Sequence, residues 1–305
     1  MSKITAVLSG LKKDLSDSWK SNRTRREIIE TIVTVFVTAY GLDFLGYFLR
    51  VRYFRWRDSL AVSAEISHVL LYLGHVCFLA VMLLYAWAVR KDRRYFTDIL
   101  HGNRRRNALY AVLGALTGFA SMGICILAAS VHGDFAVASP SGVQIPIFLF
   151  GLAAVLLQAS TEEIESRGFV FGRLKAEGVP VGIAAAVSAF FFTFLHADNP
   201  GFSIIPLLSI FVVGIEYAIS FHYFGTLWFP CDAHMMWNFT QDFIFGLPDS
   251  GNPAVISIFH TTVSGSSFFY DEVFGIEGSC AAVIVNLIAC CIIFLIGRKM
   301  QKKEN

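Results

Sequence analysis

Three groups of polar residues interrupt the apolar C-terminal half of this 305-residue chain, and their side chains are of types that do acid–base chemistry. They are a pair of glutamates, a histidine that ends a phenylalanine-rich run, and a histidine and an asparagine four residues apart. In chain order these are Glu162 and Glu163, His196, and His234 with Asn238. Ionisable side chains cost roughly 2.5–3.5 kcal/mol each at the centre of a membrane span, so their presence in apolar segments indicates function.

The two glutamates are expected to differ in role. In a helix, Glu163 and Arg167 are i,i+4 neighbours and can form an ion pair. Glu162 points about 100° away around the helix axis, so the same arginine does not neutralise it. Glu162 is therefore the candidate general base. The structural alternative is a solvated charge cluster at a helix end.

The histidine–asparagine group has the spacing of one helix face, because residues four apart are neighbours on a helix surface. His234 and Asn238 can together donate hydrogen bonds to an oxyanion as it develops. An ordinary interhelical hydrogen bond is the alternative for this pair. A histidine such as His196, taken alone, is more often a residue at the membrane interface than a catalytic one.

The composition indicates that membrane spans position these residues. Hydrophobic residues make up 55% of the chain, phenylalanine alone accounts for 29 residues, and only 16% of residues are charged. The apolar residues form long runs, as in transmembrane helices. We predict an all-α polytopic bundle of about eight spans, at residues 28–49, 66–89, 108–130, 144–161, 181–196, 203–220, 232–247 and 281–297.

A helical hairpin would bring the first two groups to the same depth. Gly178–Pro180 is a turn signal, and Glu162 and His196 each lie 17 residues from Val179. At 1.5 Å per residue, Glu162 lies about 16 Å from Arg173, the basic residue that marks the aqueous end. This depth is well inside a hydrocarbon core of about 30 Å.

The distribution of lysine and arginine predicts that both termini are cytoplasmic. Residues 4–20 have the spacing of an interfacial helix, and a frayed basic tail is an equally good interpretation. Four arginines between Arg50 and Arg57 conflict with the orientation unless they snorkel or lie in an interfacial helix at Arg50–Asp58. The formal net charge of +2 gives no support for a nucleic-acid partner.

The three groups, in this order, resemble the motifs of the CPBP family of CAAX proteases and bacteriocin-processing enzymes, also called Abi. The resemblance covers about residues 145–297. The residues that carry it are Glu162-Glu163-xxx-Arg167, Phe192-xxx-His196 and His234-xxx-Asn238, with Gly168-Phe169, Asn199-Pro200, Gly225-Thr226-Leu227-Trp228 and Phe274-Gly275-Ile276-Glu277-Gly278 beside them.

This resemblance implies an intramembrane endopeptidase that hydrolyses peptide bonds of membrane-associated, prenylated or bacteriocin-like peptides. Glu162 and His196 would activate a water molecule, and His234 and Asn238 would stabilise the oxyanion. The residues with supporting roles would be Glu163, Arg167, Phe192 and Asn199. The implied partners are a peptide or protein substrate at the membrane and the bilayer itself.

Charge, hydropathy and the resemblance together divide the chain into four parts: a basic tail at 1–26, N-terminal transmembrane helices at 27–143, the catalytic core at 144–297 and a basic tail at 298–305. Some residues depart from the family pattern. Glu165-Ser166 stands where the family usually has apolar or aromatic residues, and Glu216 and His222 are unusual polar additions. These departures concern the specificity pocket rather than the catalytic set.

Three alternatives use the same polar residues. Glu162, His196 and His234 could bind zinc with an open fourth position, although the chain has no HExxH motif and Asn238 is a poor zinc ligand. No cofactor is favoured on this reasoning, and a metal-free, glutamate-activated water is preferred. In a non-enzymatic membrane scaffold or immunity protein, the cluster would only hold the helices together. In a transporter, it would serve as a proton pathway.

Overall fold

The computed structural model describes residues 24–138 and 145–304. Its helices are α1 Arg25–Asp58, α2 Ala64–Leu73, α3 Val76–Ala88, α4 Arg93–Thr97, α5 Arg104–His132, α6 Ile145–Glu163, α7 Gly172–Ala176, α8 Val181–Phe194, α9 Ile204–Phe224, α10 Trp228–Phe239 and α11 Cys280–Glu304. Two π-helical segments, Ile164–Phe171 and Thr240–Ile244, continue α6 and α10. Short 3₁₀ turns occupy Asp98–Leu100 and Ile276–Gly278.

The prediction of an all-helical membrane bundle is confirmed. In the described part of the chain, six helical stretches are long and apolar enough to cross a membrane: Arg25–Asp58, Ala64–Ala88, Arg104–His132, Ile145–Ala176, Ile204–Phe224 and Cys280–Lys302. The other two predicted segments, 181–196 and 232–247, coincide with the shorter helix α8 and with α10 and its π-helical extension. The chain is therefore an integral membrane protein with a helical core.

Local sequence signals fix where several helices begin and end. Thr24 and Glu27 form a capping box at the start of α1, in which each side chain accepts a hydrogen bond from the other residue's backbone. Asn103 caps α5 by accepting from two backbone N–H groups, and α5 ends at Gly133 with a φ of 95°. The predicted interfacial helix at residues 4–20 lies outside the described residues.

The arginines near the end of α1 do not form the separate interfacial helix suggested by their sequence. Arg50–Asp58 continues α1 without a break. Arg57 pairs with Asp58, while the Arg50 guanidinium lies over the rings of Phe54 and Phe78, at 4.8 and 5.6 Å from their centroids. The Arg50 side chain points into the bundle, where its guanidinium forms cation–π interactions with one ring from α1 and one from α3.

The loop between the second π-helical segment and α11 folds back onto the bundle. Its strand β2, Thr261–Val263, pairs antiparallel with β1, Phe135–Val137, with Phe135 opposite Val263. Residues at the start of this loop reach the polar cluster described below. The start of the loop therefore lies beside the polar cluster, and its middle pairs with the segment that follows α5.

Helix α10, which carries His234, packs against α5 through glycines. A Cβ atom at Gly118 would lie 2.0 Å from the Ala233 carbonyl oxygen, and one at Gly114 would lie 2.2 Å from that of Phe229. Such small residues let two helix backbones approach closely within a membrane. The position of His234 therefore depends on the glycine face of α5.

We expect Gly118→Ala to lower the thermal unfolding midpoint of the purified protein, because the new methyl group overlaps the α10 backbone. Overpacking of this kind costs about 1–3 kcal/mol or more. Gly123→Ala in the same helix is the matched control, since nothing lies within 4 Å of its added Cβ. That control should be neutral or slightly stabilising, as alanine is the better helix former. Equal midpoints for the two variants would contradict the close packing of α5 on α10.

Candidate active site

Glu162 and Glu163 lie in the last turn of α6, immediately before the π-helical segment Ile164–Phe171. A π-helix bonds i to i+5 and is rare, and it occurs frequently at functional sites. All eight residues of this segment are buried. The wider turn changes the direction in which successive polar side chains leave the helix, which the sequence did not reveal.

The two carboxylate oxygens of Glu162 have different surroundings. Oε1 accepts a hydrogen bond from Nε2 of Gln158 at 2.7 Å and lies 3.2 Å from Nε2 of His75. Oε2 has no hydrogen-bond partner among the described residues, and Nε2 of His234 lies 3.8 Å away. One oxygen is thus held by the protein, and the other faces the neighbouring histidine across a gap.

His75 was not among the predicted site residues. It stands at the break between α2 and α3, where its Nδ1 donates to the carbonyl oxygen of Tyr72 at 3.0 Å. With Nδ1 protonated, a hydrogen bond between Nε2 and Oε1 of Glu162 needs a further proton on one of these two atoms, and Glu162 can act as a base when that proton lies on the imidazole. The only signal in the sequence was a histidine after Gly74 within an apolar span.

Glu163 forms the predicted ion pair with Arg167 and also orients His234. Its Oε1 accepts from Nη1 of Arg167 at 2.8 Å and lies 3.0 Å from Nδ1 of His234. Both charged side chains are fully buried. The guanidinium also lies 4.2 Å above the ring of Phe192 and 5.4 Å from that of Tyr217. The buried pair therefore fixes the imidazole so that its Nε2 is directed toward Glu162.

His196 lies in the turn that follows α8. Its Nδ1 donates to the Phe192 carbonyl oxygen at 2.8 Å, which leaves Nε2 available to accept a proton or to bind water. The Phe192 ring contacts both His196 and His234, at centroid distances of 4.8 and 5.8 Å. Asn199 holds the turn by donating to the Ser250 carbonyl oxygen at 2.9 Å.

Asn238 reaches Glu162 through a second residue that the sequence analysis missed. Its Nδ2 donates to Oε1 of Gln158 at 3.2 Å, and Gln158 in turn donates to Glu162. An amide nitrogen has two hydrogens, so one remains for another acceptor. The spacing of Gln158 and Glu162, four residues apart in an apolar helix, was the signal that could have identified this link.

Two adjoining spaces bring the predicted residues together. Glu162, His196 and Asn238 line a cavity of about 560 Å³, which Tyr40, Phe44 and other residues of α1 also border. His196 and His234 line a chamber of about 20 Å³. A water molecule needs roughly 10–15 Å³ on this measure, so the chamber has room for one. His196 lies at the boundary between the two spaces.

A second carboxylate cluster borders the large cavity. The Tyr72 hydroxyl lies 2.6 Å from Oδ2 of Asp242 and 2.7 Å from Oδ2 of Asp249. Nε2 of His68 lies 2.7 Å from the same Oδ2 of Asp242, so the hydroxyl and the imidazole both contact that carboxylate. Burial, followed by the charges of Glu277 and Asp242, raises the pKa of Asp249 well above its ordinary value. This cluster ties α2 to the loop after α10.

The zinc alternative finds no ready-made site. Within residues 24–138 and 145–304, no three histidine, cysteine, aspartate or glutamate side chains are arranged to hold a metal ion.

Residues 144–240 match a family described as Rce1-like, type II CAAX prenyl endopeptidase. The matched segment contains every residue predicted for the catalytic and supporting roles, and it confirms the family resemblance. The comparison with curated proteins found no match. The family supports the activity of a CAAX-type intramembrane endopeptidase.

Proposed function

We propose that this CAAX-type membrane endopeptidase hydrolyses its substrate with a water molecule activated by Glu162, without a covalent intermediate. The observation that carries the proposal is Oε2 of Glu162, which has no hydrogen-bond partner among the residues that the structure describes. This oxygen lies 3.8 Å from Nε2 of His234, and Glu162 lines a cavity of about 560 Å³. A buried carboxylate oxygen without a partner is costly unless water or substrate satisfies it.

The attacking water would lie between Glu162 and His196. Oε2 of Glu162 takes a proton from the water as its oxygen attacks the carbonyl carbon of the scissile bond. The free Nε2 of His196 accepts the second hydrogen of the water and orients it. Glu162 then returns the proton to the leaving amine, so that it acts first as base and then as acid.

The negative charge on the carbonyl oxygen would meet donors from α10. Asn238 donates the second hydrogen of its amide to this oxygen, while the first remains hydrogen-bonded to Oε1 of Gln158. His234 donates through Nε2 as an imidazolium, which the Glu163 carboxylate beside Nδ1 stabilises. Both donors are held before substrate arrives, and this is the condition under which such groups lower the barrier most.

The mouth of the cavity suggests how a membrane peptide would enter. Tyr40, Phe44 and Tyr47 of α1 and Phe194 of α8 border it and also expose much of their surface on the outside of the bundle. Aromatic side chains of this kind suit a segment that arrives from lipid. Prenylated or otherwise membrane-bound peptides are therefore the proposed substrates.

The proposal is tested with purified protein in lipid vesicles and a panel of membrane-bound peptides, including prenylated CAAX peptides. We expect cleavage at one internal bond, detected by mass spectrometry, and undiminished cleavage after thorough chelation. Loss of activity on chelation with recovery on adding zinc would establish the metal-dependent alternative instead. Absence of cleavage across the panel, with folded protein, would favour a scaffold or immunity role.

A further inference from the structure

We propose that Glu165 forms a subsite for a basic side chain of the substrate, so that the enzyme prefers lysine or arginine at one position near the scissile bond. This inference rests on the proposed endopeptidase function and concerns its specificity. It starts from a buried acid that the catalytic mechanism does not use.

Glu165 is 2% exposed, and its Oε1 has no hydrogen-bond partner in the described part of the chain. The residue belongs to the π-helical segment, and it lines the same cavity as Glu162. Burying a carboxyl group without a partner costs several kcal/mol in a medium of low dielectric constant. A protein can retain such a costly group at a binding site, because the ligand supplies the missing hydrogen-bond partner when it binds.

The charges around the cavity favour a cation as that ligand. Its acidic lining residues are Asp43, Glu162, Glu165, Asp198 and Asp249. Arg50 is the one lysine or arginine among the described lining residues, and its guanidinium lies over Phe54. The five acidic groups outnumber this one arginine, and a low-dielectric cavity with an excess of acidic groups concentrates ligands of positive charge.

Asp43 strengthens the argument because it brings a second carboxyl group to the cavity from another helix, α1. Two acids can share the several N–H donors of a lysine or arginine side chain, whereas a single acid satisfies only part of them. The CPBP resemblance implies an apolar or aromatic residue at the position of Glu165. The basic preference is therefore expected of this chain rather than of the family pattern.

The preference is tested with a peptide set in which one lysine is moved through an otherwise uncharged sequence, each paired with a norleucine peptide. The wild type should prefer lysine at one position by about 10- to 100-fold in kcat/KM, as expected for a charge-assisted hydrogen bond. Glu165→Leu should abolish or invert that preference while still cleaving the norleucine peptide. Glu165→Gln, which keeps the shape of the side chain, should lose most of it.

A binding measurement separates this inference from the catalytic proposal. In the Glu162→Gln background, the lysine peptide should bind more tightly than the norleucine peptide, and adding Glu165→Leu should remove the difference. Cleavage by the wild type without a lysine preference would overturn the subsite and leave the protease. Lysine-selective binding that depends on Glu165, without any cleavage, would uphold the subsite and overturn the protease. A lysine preference that survives Glu165→Leu would also overturn the subsite.

Discussion

Replacing Glu162 by glutamine is expected to lower kcat by about 10²- to 10⁴-fold, the usual contribution of a general base. Glutamine keeps the size of the side chain and can still accept from Gln158, but it cannot take a proton from water. KM should change little, because the carboxylate acts on water rather than on the resting peptide. The measurement is steady-state cleavage of a membrane peptide by vesicle-reconstituted protein.

The control for this prediction is Glu272→Gln, which makes the same change on the exposed loop. That variant should keep wild-type activity, and both variants should unfold at nearly the wild-type temperature. Full activity in Glu162→Gln would remove the general base from the mechanism. A large fall in its unfolding temperature would mean that the residue is structural.

The second large effect concerns stability. Arg167→Met is expected to destabilise the protein by about 3–5 kcal/mol, because it removes the buried guanidinium and leaves the Glu163 carboxylate with His234 alone beside it. Methionine fills part of the volume, so packing loss is limited. The arginine also contributes its contacts with the Phe192 and Tyr217 rings. Chemical or thermal unfolding in detergent measures the loss.

The double variant Glu163→Gln, Arg167→Met distinguishes an uncompensated charge from lost packing. Removing both charges should recover part of the stability, since no buried ion then lacks a partner. Activity should stay low, because His234 loses the carboxylate that orients Nδ1 and stabilises its charged form. Strictly additive losses of stability would contradict the charge explanation.

Local spacing predicted much of the site, because i,i+4 contacts depend only on helix geometry. The Glu163–Arg167 pair and the turn between α7 and α8 appear where the sequence placed them. The hairpin also brings Glu162 and His196 to one cavity, as their equal separation from Val179 suggested. The sequence analysis assumed a rise of about 1.5 Å per residue between Glu162 and Arg173. That value does not apply to the whole stretch, because Ile164–Phe171 is π-helical.

Contacts between distant segments could not be predicted in this way. His75 meets Glu162 across 87 positions of chain, and Tyr72 meets Asp249 across 177. Neither residue lies in a short motif with its partner. The first pair arises where the break between α2 and α3 meets α6, and the second arises where α2 meets the loop after α10. The domain boundaries and the cytoplasmic placement of the termini stay predictions from sequence.

The most direct test of the central claim is a single turnover of membrane peptide in H₂¹⁸O, followed by mass analysis of both the product and the enzyme. Direct attack by water predicts one ¹⁸O atom in the new carboxylate of the product and none in the peptide containing Glu162. Label in Glu162, or a trapped acyl-enzyme, would show that the glutamate or another side chain attacks the carbonyl itself and would contradict the mechanism.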